Sequence, residues 1–198
     1  QQERATDTVY KLTDLEVDKW KHAVEEAAEQ IRAGVMDKVA LAREIRIELA
    51  EKIDLSQVIH SLSEEQTESY VFAIERGDHC FLGASPERLV KRVGDKLYSM
   101  CLASSIARGK TDEEDTRLGR ALLESDRYRV EHEIVVQMIK EAMEQVCEHV
   151  DIAPEPTLFK AKYIQHLYTP VMGHLRPGAG LLSTVEKLHP TPALGGYP

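Results

Sequence analysis

The stretch SYVFAIERGDHCFLGASPERLVKRVGDKLYSMCLAS, residues 69–104, decides the fold class. It holds four β-compatible runs, 69–76, 79–85, 87–93 and 96–104. The first two are joined at Gly77-Asp78 and the last two at Gly94-Asp95. A Gly-Asp pair between runs rich in Val, Ile, Leu, Phe and Tyr is a turn signal, because glycine takes left-handed backbone at no steric cost. Two successive hairpins make neighbouring strands antiparallel.

Upstream, Val17, Trp20, Val24, Ala28 and Ile31 recur at spacings of three and four. That apolar stripe predicts a helix, with Asp14 as its N-cap and Gly34 closing it. MDKVALAREIRI, residues 36–47, follows and predicts a strand of ten residues or fewer. DLSQVIHSLSEEQ (54–66) predicts a short helix.

Downstream the pattern turns helical. Residues 111–125 open with acids that suit a helix N-terminus. In 126–150, Val130, Ile134, Met138, Ala142 and Cys147 recur near the helical period. DIAPEPT (151–157) reads as a linker. Residues 158–175 read as one or two strands broken at Thr169-Pro170, and 180–188 as a short helix. HPTPALGGYP (189–198) is a loop stiffened by proline. Hairpins and helices in separate runs predict an α+β fold with antiparallel sheets and packed helices. G-x-G-x-x-G, P-loop, G-x-S-x-G and HExxH are all absent.

The chain of 198 residues is long enough for one sizeable core. Its net charge of -9 disfavours nucleic acid and anionic membrane surfaces as partners. The expectation is no nucleic-acid partner and no membrane: no apolar run is long enough to span a bilayer, and residues 1–12 lack a signal-peptide pattern. Cys80, Cys101 and Cys147 are scattered, with neither disulfide nor zinc spacing, which fits the cytoplasm.

Lys38 heads the apolar run Val39-Ala40-Leu41-Ala42, with Arg43 and Arg46 after it. Either it guards a strand edge, or it offers an amine to a site. As a base near neutral pH its pKa must fall from about 10.4 to near 7, about 4 kcal/mol. Glu87 follows the Ser85-Pro86 turn and is either an exposed turn acid or an acid aimed into a cavity. Glu131 shares a helical face with Val135, Met138 and Ala142. Its carboxylate therefore lies inward or at a rim, where a hard cation such as Mg²⁺ is one partner. His166 and His189, taken singly, read as structural histidines. The paired prolines and glycines of HPTPALGG suit a ligand wall.

DKVALAR, FLGASPERL, CLASSIARG, VEHEIVVQMI, QHLYTPVMGHL and HPTPALGG occur in one order from about Trp20 to Pro198. In that order they resemble the chorismate-utilising enzymes, and among these the isochorismate synthases. The resemblance implies part of the chorismate-binding fold, which is like anthranilate synthase component I. Residues 1–198 would be a partial catalytic domain, with the family's N-terminal and C-terminal parts outside it. It implies an Mg²⁺-dependent isomerase that converts chorismate to isochorismate. Water adds at C2 and the C4 hydroxyl is lost, for menaquinone or siderophore biosynthesis. Salicylate synthase and a non-catalytic or degenerate homologue are the alternatives.

By position, Lys38 matches the family lysine that activates water, and Glu87 matches the glutamate that protonates the departing hydroxyl. Glu131 matches one of two Mg²⁺-holding glutamates, the second of which would lie past Pro198. Ala103, Ser104, Ser105, His189 and Thr191 match substrate-lining positions. Two positions depart from the family pattern. Ser104 stands where the family usually has glycine, and Tyr128 where it tends to have an acid. The 198-residue chain alone is expected to be inactive, and surface left by missing segments to favour self-association.

Overall fold

The computed structural model describes residues 10–14 and 16–197. The elements run β1 (Tyr10–Asp14), α1 (Val17–Arg32), β2 (Lys38–Val39), β3 (Ile45–Leu49), α2 (Leu55–Glu65), β4 (Tyr70–Arg76), β5 (His79–Ser85), β6 (Lys91–Val93), β7 (Lys96–Ala107), α3 (Asp112–Glu124), α4 (Asp126–Val146), β8 (Cys147–Ile152), β9 (Thr157–Lys160), β10 (Ile164–Leu175), α5 (Leu181–Leu188) and β11 (Gly196–Tyr197). This is the α+β arrangement of antiparallel sheets with packed helices.

The main sheet has the order β6-β7-β10-β8, and β9 pairs with the other half of β10 on the β8 side. All of its pairings are antiparallel. Strand β10 alternates along its length: Gln165, Leu167, Thr169, Val171, Gly173 and Leu175 are buried. Helix α4 covers that face with His132, Val135, Val136, Ile139, Ala142, Met143 and Val146. These meet Leu97, Cys101 and Ala103 of β7 and Leu188 of α5 in one core. Truncating Ile139, 1% exposed, to alanine would cost about 2–5 kcal/mol.

Both Gly-Asp turns are as expected, with Gly77 and Gly94 at φ 63°. Helices α2 and α3 also begin where expected. Asp54 accepts from the Ser56 and Gln57 amides. Thr111 accepts from the Glu114 amide, a cap contributing about 1 kcal/mol.

Six expectations are corrected. Asp14 does not cap α1: it ends β1, paired with Ile45, and the N-cap position is Glu16. The 36–47 strand is split. Its first part pairs with β11 and its second with β1, so two partners pull one run apart. The strand expected over 87–93 shrinks to β6, because Leu89 and Val90 turn to pack against the core and side chains of β7 take the backbone: the Arg88 amide donates to Met100 Sδ, and the Ser99 hydroxyl donates to the Leu89 carbonyl. The helix expected to reach 150 stops at Val146. There Arg176 takes the terminal carbonyls: its amide donates to Val146, its Nε to Cys147 and its Nη2 to Glu144. Cys147–Ile152 then pairs with β10 instead. The supposed linker 151–157 thus lends its ends to β8 and β9. Finally, β9 and β10 part at Ala161-Lys162-Tyr163, not at Thr169-Pro170. Pro170 falls where the β9 pairing has ended and the β8 pairing has not begun, a place that tolerates a missing N–H.

Candidate active site

Helices α3 and α4 pack against the main sheet, and of the candidate residues Ala103, Ser104, Ser105 and Glu131 lie on β7 and the start of α4, joined by the Ser104–Tyr128 bond. Strand β2 sets Lys38 opposite Tyr197 of β11. The pairing is extended by Ala40 N donating to Gly195 O at 2.7 Å. Lys38 is half-buried, and its Nζ donates to the Pro192 carbonyl at 2.5 Å. A Cβ on Gly196 would stand 2.8 Å from the Lys38 carbonyl oxygen, so the second glycine of HPTPALGG permits the close approach. Arg43 and Arg46 are engaged elsewhere: Arg43 lies over the Trp20 ring at 5.6 Å, and Arg46 contacts Glu44 at 3.3 Å.

Glu87 is half-buried after the Ser85-Pro86 turn, and its amide donates to Ser85 Oγ at 3.3 Å. Burial raises its carboxyl above the usual range, which favours the protonated form an acid catalyst requires. The adjoining Arg88 lines a cleft of about 440 Å³ with Tyr98, Tyr168, Pro170 and Met172. Arg88 Nε is sealed from solvent without a hydrogen-bond partner.

Cys101 links these groups electrostatically. Burial pushes its thiol far above the ordinary range, so it is inert as a nucleophile. The charges of Glu87 and Glu133 push it further, and Lys38 pulls it back. Lys38 and Glu87, from distant parts of the chain, thus both influence the Cys101 thiol, in opposite directions.

Strand β7 carries the substrate-lining candidates. Ala103 and Ser104 are buried and Ser105 is exposed. The register against β10 shifts here, with Leu167 facing Ala103 and His166 facing Ser105, so Ser104 is the extra residue of a β-bulge. Ser104 has φ 62°, a backbone region that favours glycine. Its hydroxyl donates to the Tyr128 carbonyl at 2.8 Å, so the two positions that depart from the family pattern touch.

Glu131 is half-buried at the rim of the α4 core face, where the sequence periodicity put it. Among the described residues no group of three or more His, Cys, Asp or Glu side chains could hold a metal ion. Thr191 is buried, its carbonyl accepting from the Leu194 and Gly195 amides, while His189 is exposed.

Two groups, His132 and Asp115, escaped the sequence reading, and a third, His166, was read there only as a structural histidine. His166 Nδ1 lies 2.7 Å from Ser105 Oγ, and its Nε2 is buried without a partner. Burial holds its pKa below the usual value. His132 is 2% exposed and bonded at both nitrogens, to the Ala103 carbonyl and Thr169 Oγ1. Burial lowers its pKa as well. A signal existed for it, since His132, Val136, Ile139 and Met143 form one helical stripe with a single polar member. Asp115 accepts from Arg108 Nε and Nη2, from Lys160 Nζ and from the Gly109 amide, tying the end of β7 to α3 and β9. A Cβ on Gly109 would lie 2.1 Å from the Asp115 amide nitrogen, which accounts for the glycine after Arg108.

The model of the family described as "Chorismate binding enzyme" matches residues 1–198. Isochorismate synthase MenF of Bacillus subtilis is 46% identical over 185 residues, covering 93% of this chain and 39% of that protein. The salicylate biosynthesis isochorismate synthase of Pseudomonas aeruginosa is 44% identical over 179 residues, covering 90% and 37%. The solved structure of MenF, the menaquinone-specific isochorismate synthase from Escherichia coli, superposes with a TM-score of 0.85 at 27% identity, over 98% of this chain and 45% of that one. Anthranilate synthase component I from Streptococcus pneumoniae shares the fold, with a TM-score of 0.78 at 22% identity, over 96% and 42%. The chain thus spans less than half the length of each of these four proteins.

Proposed function

The chain belongs to the chorismate binding enzyme family, and from that premise we propose that residues 1–198 are part of the catalytic domain of an isochorismate synthase. The observation that carries the reading is the 46% identity to isochorismate synthase MenF over 93% of the chain, with Lys38 held by the Pro192 carbonyl and Glu87 half-buried. An amine and a protonated acid are the pair needed to add water at one ring carbon and remove it at another.

In the proposed mechanism Lys38 takes a proton from water as its oxygen bonds to C2 of chorismate. The ring double bonds shift, the C4–O bond breaks, and Glu87 delivers its proton so that the hydroxyl departs as water. One water enters and one leaves. Lys38 ends protonated and Glu87 ionised, and solvent exchange restores both. The bulge at Ala103, Ser104 and Ser105, together with Thr191 and His189, would line the substrate.

Glu131 presents a hard oxygen donor at the rim of the core face, which fits Mg²⁺ taking its remaining ligands from water and substrate oxygens. When bound, the ion would offset the charge of the substrate carboxylate.

Further proposals are a cytoplasmic protein and association of copies through exposed apolar surface. The first is supported by three free cysteines, and the second by Ile74 and Phe81, paired across β4 and β5 and 62% and 69% exposed. Among the described residues no helix is long and apolar enough to cross a membrane.

The test is incubation of the whole protein with chorismate and Mg²⁺, with products resolved by chromatography. Isochorismate is expected. Salicylate as the direct product would make the protein a salicylate synthase, and no turnover a non-catalytic homologue. The motifs QHLYTP and HPTPALGGYP support the menaquinone branch over the siderophore branch. Rescue of a menaquinone-deficient strain checks that assignment.

A further inference from the structure

His132 lies on the buried face of α4 and uses both ring nitrogens. Nδ1 is 3.2 Å from the Ala103 carbonyl oxygen, and Nε2 is 2.8 Å from Thr169 Oγ1. A carbonyl only accepts, so Nδ1 carries the proton and donates; Nε2 is then bare and accepts from the threonine hydroxyl. One side chain of α4 thereby holds β7 and β10 together.

The carbonyl it holds belongs to the residue just before the bulge. Ser104, in left-handed backbone, adds a second tether through its hydroxyl to the Tyr128 carbonyl. Residues 128 and 132 lie one helical turn apart, and Glu131 falls between them. The two tethers therefore set one relationship, that between the bulge carrying Ser105 and the turn of α4 carrying Glu131. An apolar side chain could fill this core position, but it would leave the buried Ala103 carbonyl and Thr169 hydroxyl without this partner. What the imidazole adds is direction, at two strands at once.

We propose that His132 is a positioning residue, fixing the 103–105 bulge of β7 against the turn of α4 that carries Glu131. The catalytic consequence rests on the isochorismate synthase reading; the tether itself does not.

The test compares His132→Asn and His132→Gln in the whole protein, after circular dichroism and melting have shown each variant folded. The asparagine amide stands near the place of Nδ1 and can donate to the Ala103 carbonyl, while the glutamine amide reaches the place of Nε2 and leaves that carbonyl unpaired. Amide hydrogen exchange at Ser104 and Ser105 is read alongside kcat and KM for chorismate. In the asparagine variant, exchange and kcat are expected to stay near wild type. In the glutamine variant, exchange should speed up and kcat should fall by about 10²-fold, the scale of a small misplacement, with KM changing less. Wild-type exchange and kcat in the glutamine variant overturns the proposal. Equal loss in both variants also overturns it, because then only shape matters. Should both fail to fold, Thr169→Val frees the ring without removing it: faster exchange at Ser104 and Ser105 supports the tether, and unchanged exchange rejects it. If the wild-type protein does not turn over chorismate, the functional reading falls while the exchange contrast still decides the tether.

Discussion

The Nζ of Lys38 lies 2.5 Å from the carbonyl oxygen of Pro192, a residue 154 positions further along the chain. One bond joins the first motif of the family resemblance to the last, and it explains a lysine at the head of an apolar run. The amine is not turned out to solvent as an edge guard: Lys38 is half-buried and its Nζ is engaged by the Pro192 carbonyl. In the whole protein Lys38→Ala is expected to lower kcat by about 10²–10⁴-fold. The β2–β11 pairing, which uses backbone groups, should hold the fold. Near-wild-type turnover would remove Lys38 from the mechanism.

Glu87→Gln keeps size and hydrogen bonding but has no proton to give. Turnover should collapse while calorimetry still shows chorismate binding; equal loss of binding makes Glu87 a binding residue. The raised carboxyl pKa also has a stability signature. A raised folded-state pKa contributes stability that is present below the unfolded value, near 4.3, and is lost as pH rises through the folded value. The melting temperature of Glu87→Gln relative to wild type should therefore climb from pH 4 upward.

Asp115 behaves in the opposite sense. Hydrogen bonds from Arg108, then Lys160 and the Gly109 amide, hold its carboxyl well below the carboxylate range. A depressed folded-state pKa contributes stability that is present above the unfolded value, about 3.9, and is lost as pH falls toward the folded one. Asp115→Asn should melt lower than wild type at pH 7, and the gap should close below about pH 4. A gap independent of pH would mean that charge plays no part in this junction.

Ser104 sets two small effects against each other. Its left-handed backbone costs about 1–2 kcal/mol relative to glycine, and its bond to the Tyr128 carbonyl returns about 1 kcal/mol. Ser104→Gly should stay within about 1 kcal/mol of wild type in urea unfolding. Ser104→Ala keeps the strain and loses the bond, so it should be less stable by about 1 kcal/mol. An alanine variant as stable as wild type would show that the hydroxyl bond contributes nothing.

Isothermal titration of the 198-residue chain with Mg²⁺ should show binding weaker than millimolar, since Glu131 is matched by no three-residue ligand cluster among the described residues. Chorismate should strengthen binding only if substrate oxygens complete the shell. Submillimolar binding without chorismate would show that the site is complete within these residues.

The local punctuation was legible from the residues alone. Gly77-Asp78 and Gly94-Asp95 reverse the chain because glycine reaches φ 63° freely, and Asp54 and Thr111 start helices because a short oxygen-bearing side chain satisfies the first free amides. The helical period of α4 was legible, but the stripe read over Val130, Ile134, Met138 and Ala142 is rotated from the buried face: Val130 is 62% exposed, while Val135, Val136, Ile139 and Met143 are buried beside Ala142. The order of motifs identified the family. Each of these depends on neighbours a few positions away, or on the chain read as a string.

Long-range pairing decided the rest. Residues 36–47 divide because β11 claims Lys38–Val39 and β1 claims Ile45–Leu49, and neither partner is visible from inside the run. Helix α4 ends at Val146, although its apolar rhythm continues, because Arg176 takes the last carbonyls and β10 offers a ladder to Cys147–Ile152. Ser104 is left-handed because β7 carries one more residue than β10 at that point. His132 became a two-handed tether only once Ala103 and Thr169 were brought to its two nitrogens. Helical period and turn chemistry are properties of adjacent residues, whereas a strand's partner, a helix's last carbonyl and a buried imidazole's proton are set by groups that only the folded chain brings within hydrogen-bond reach.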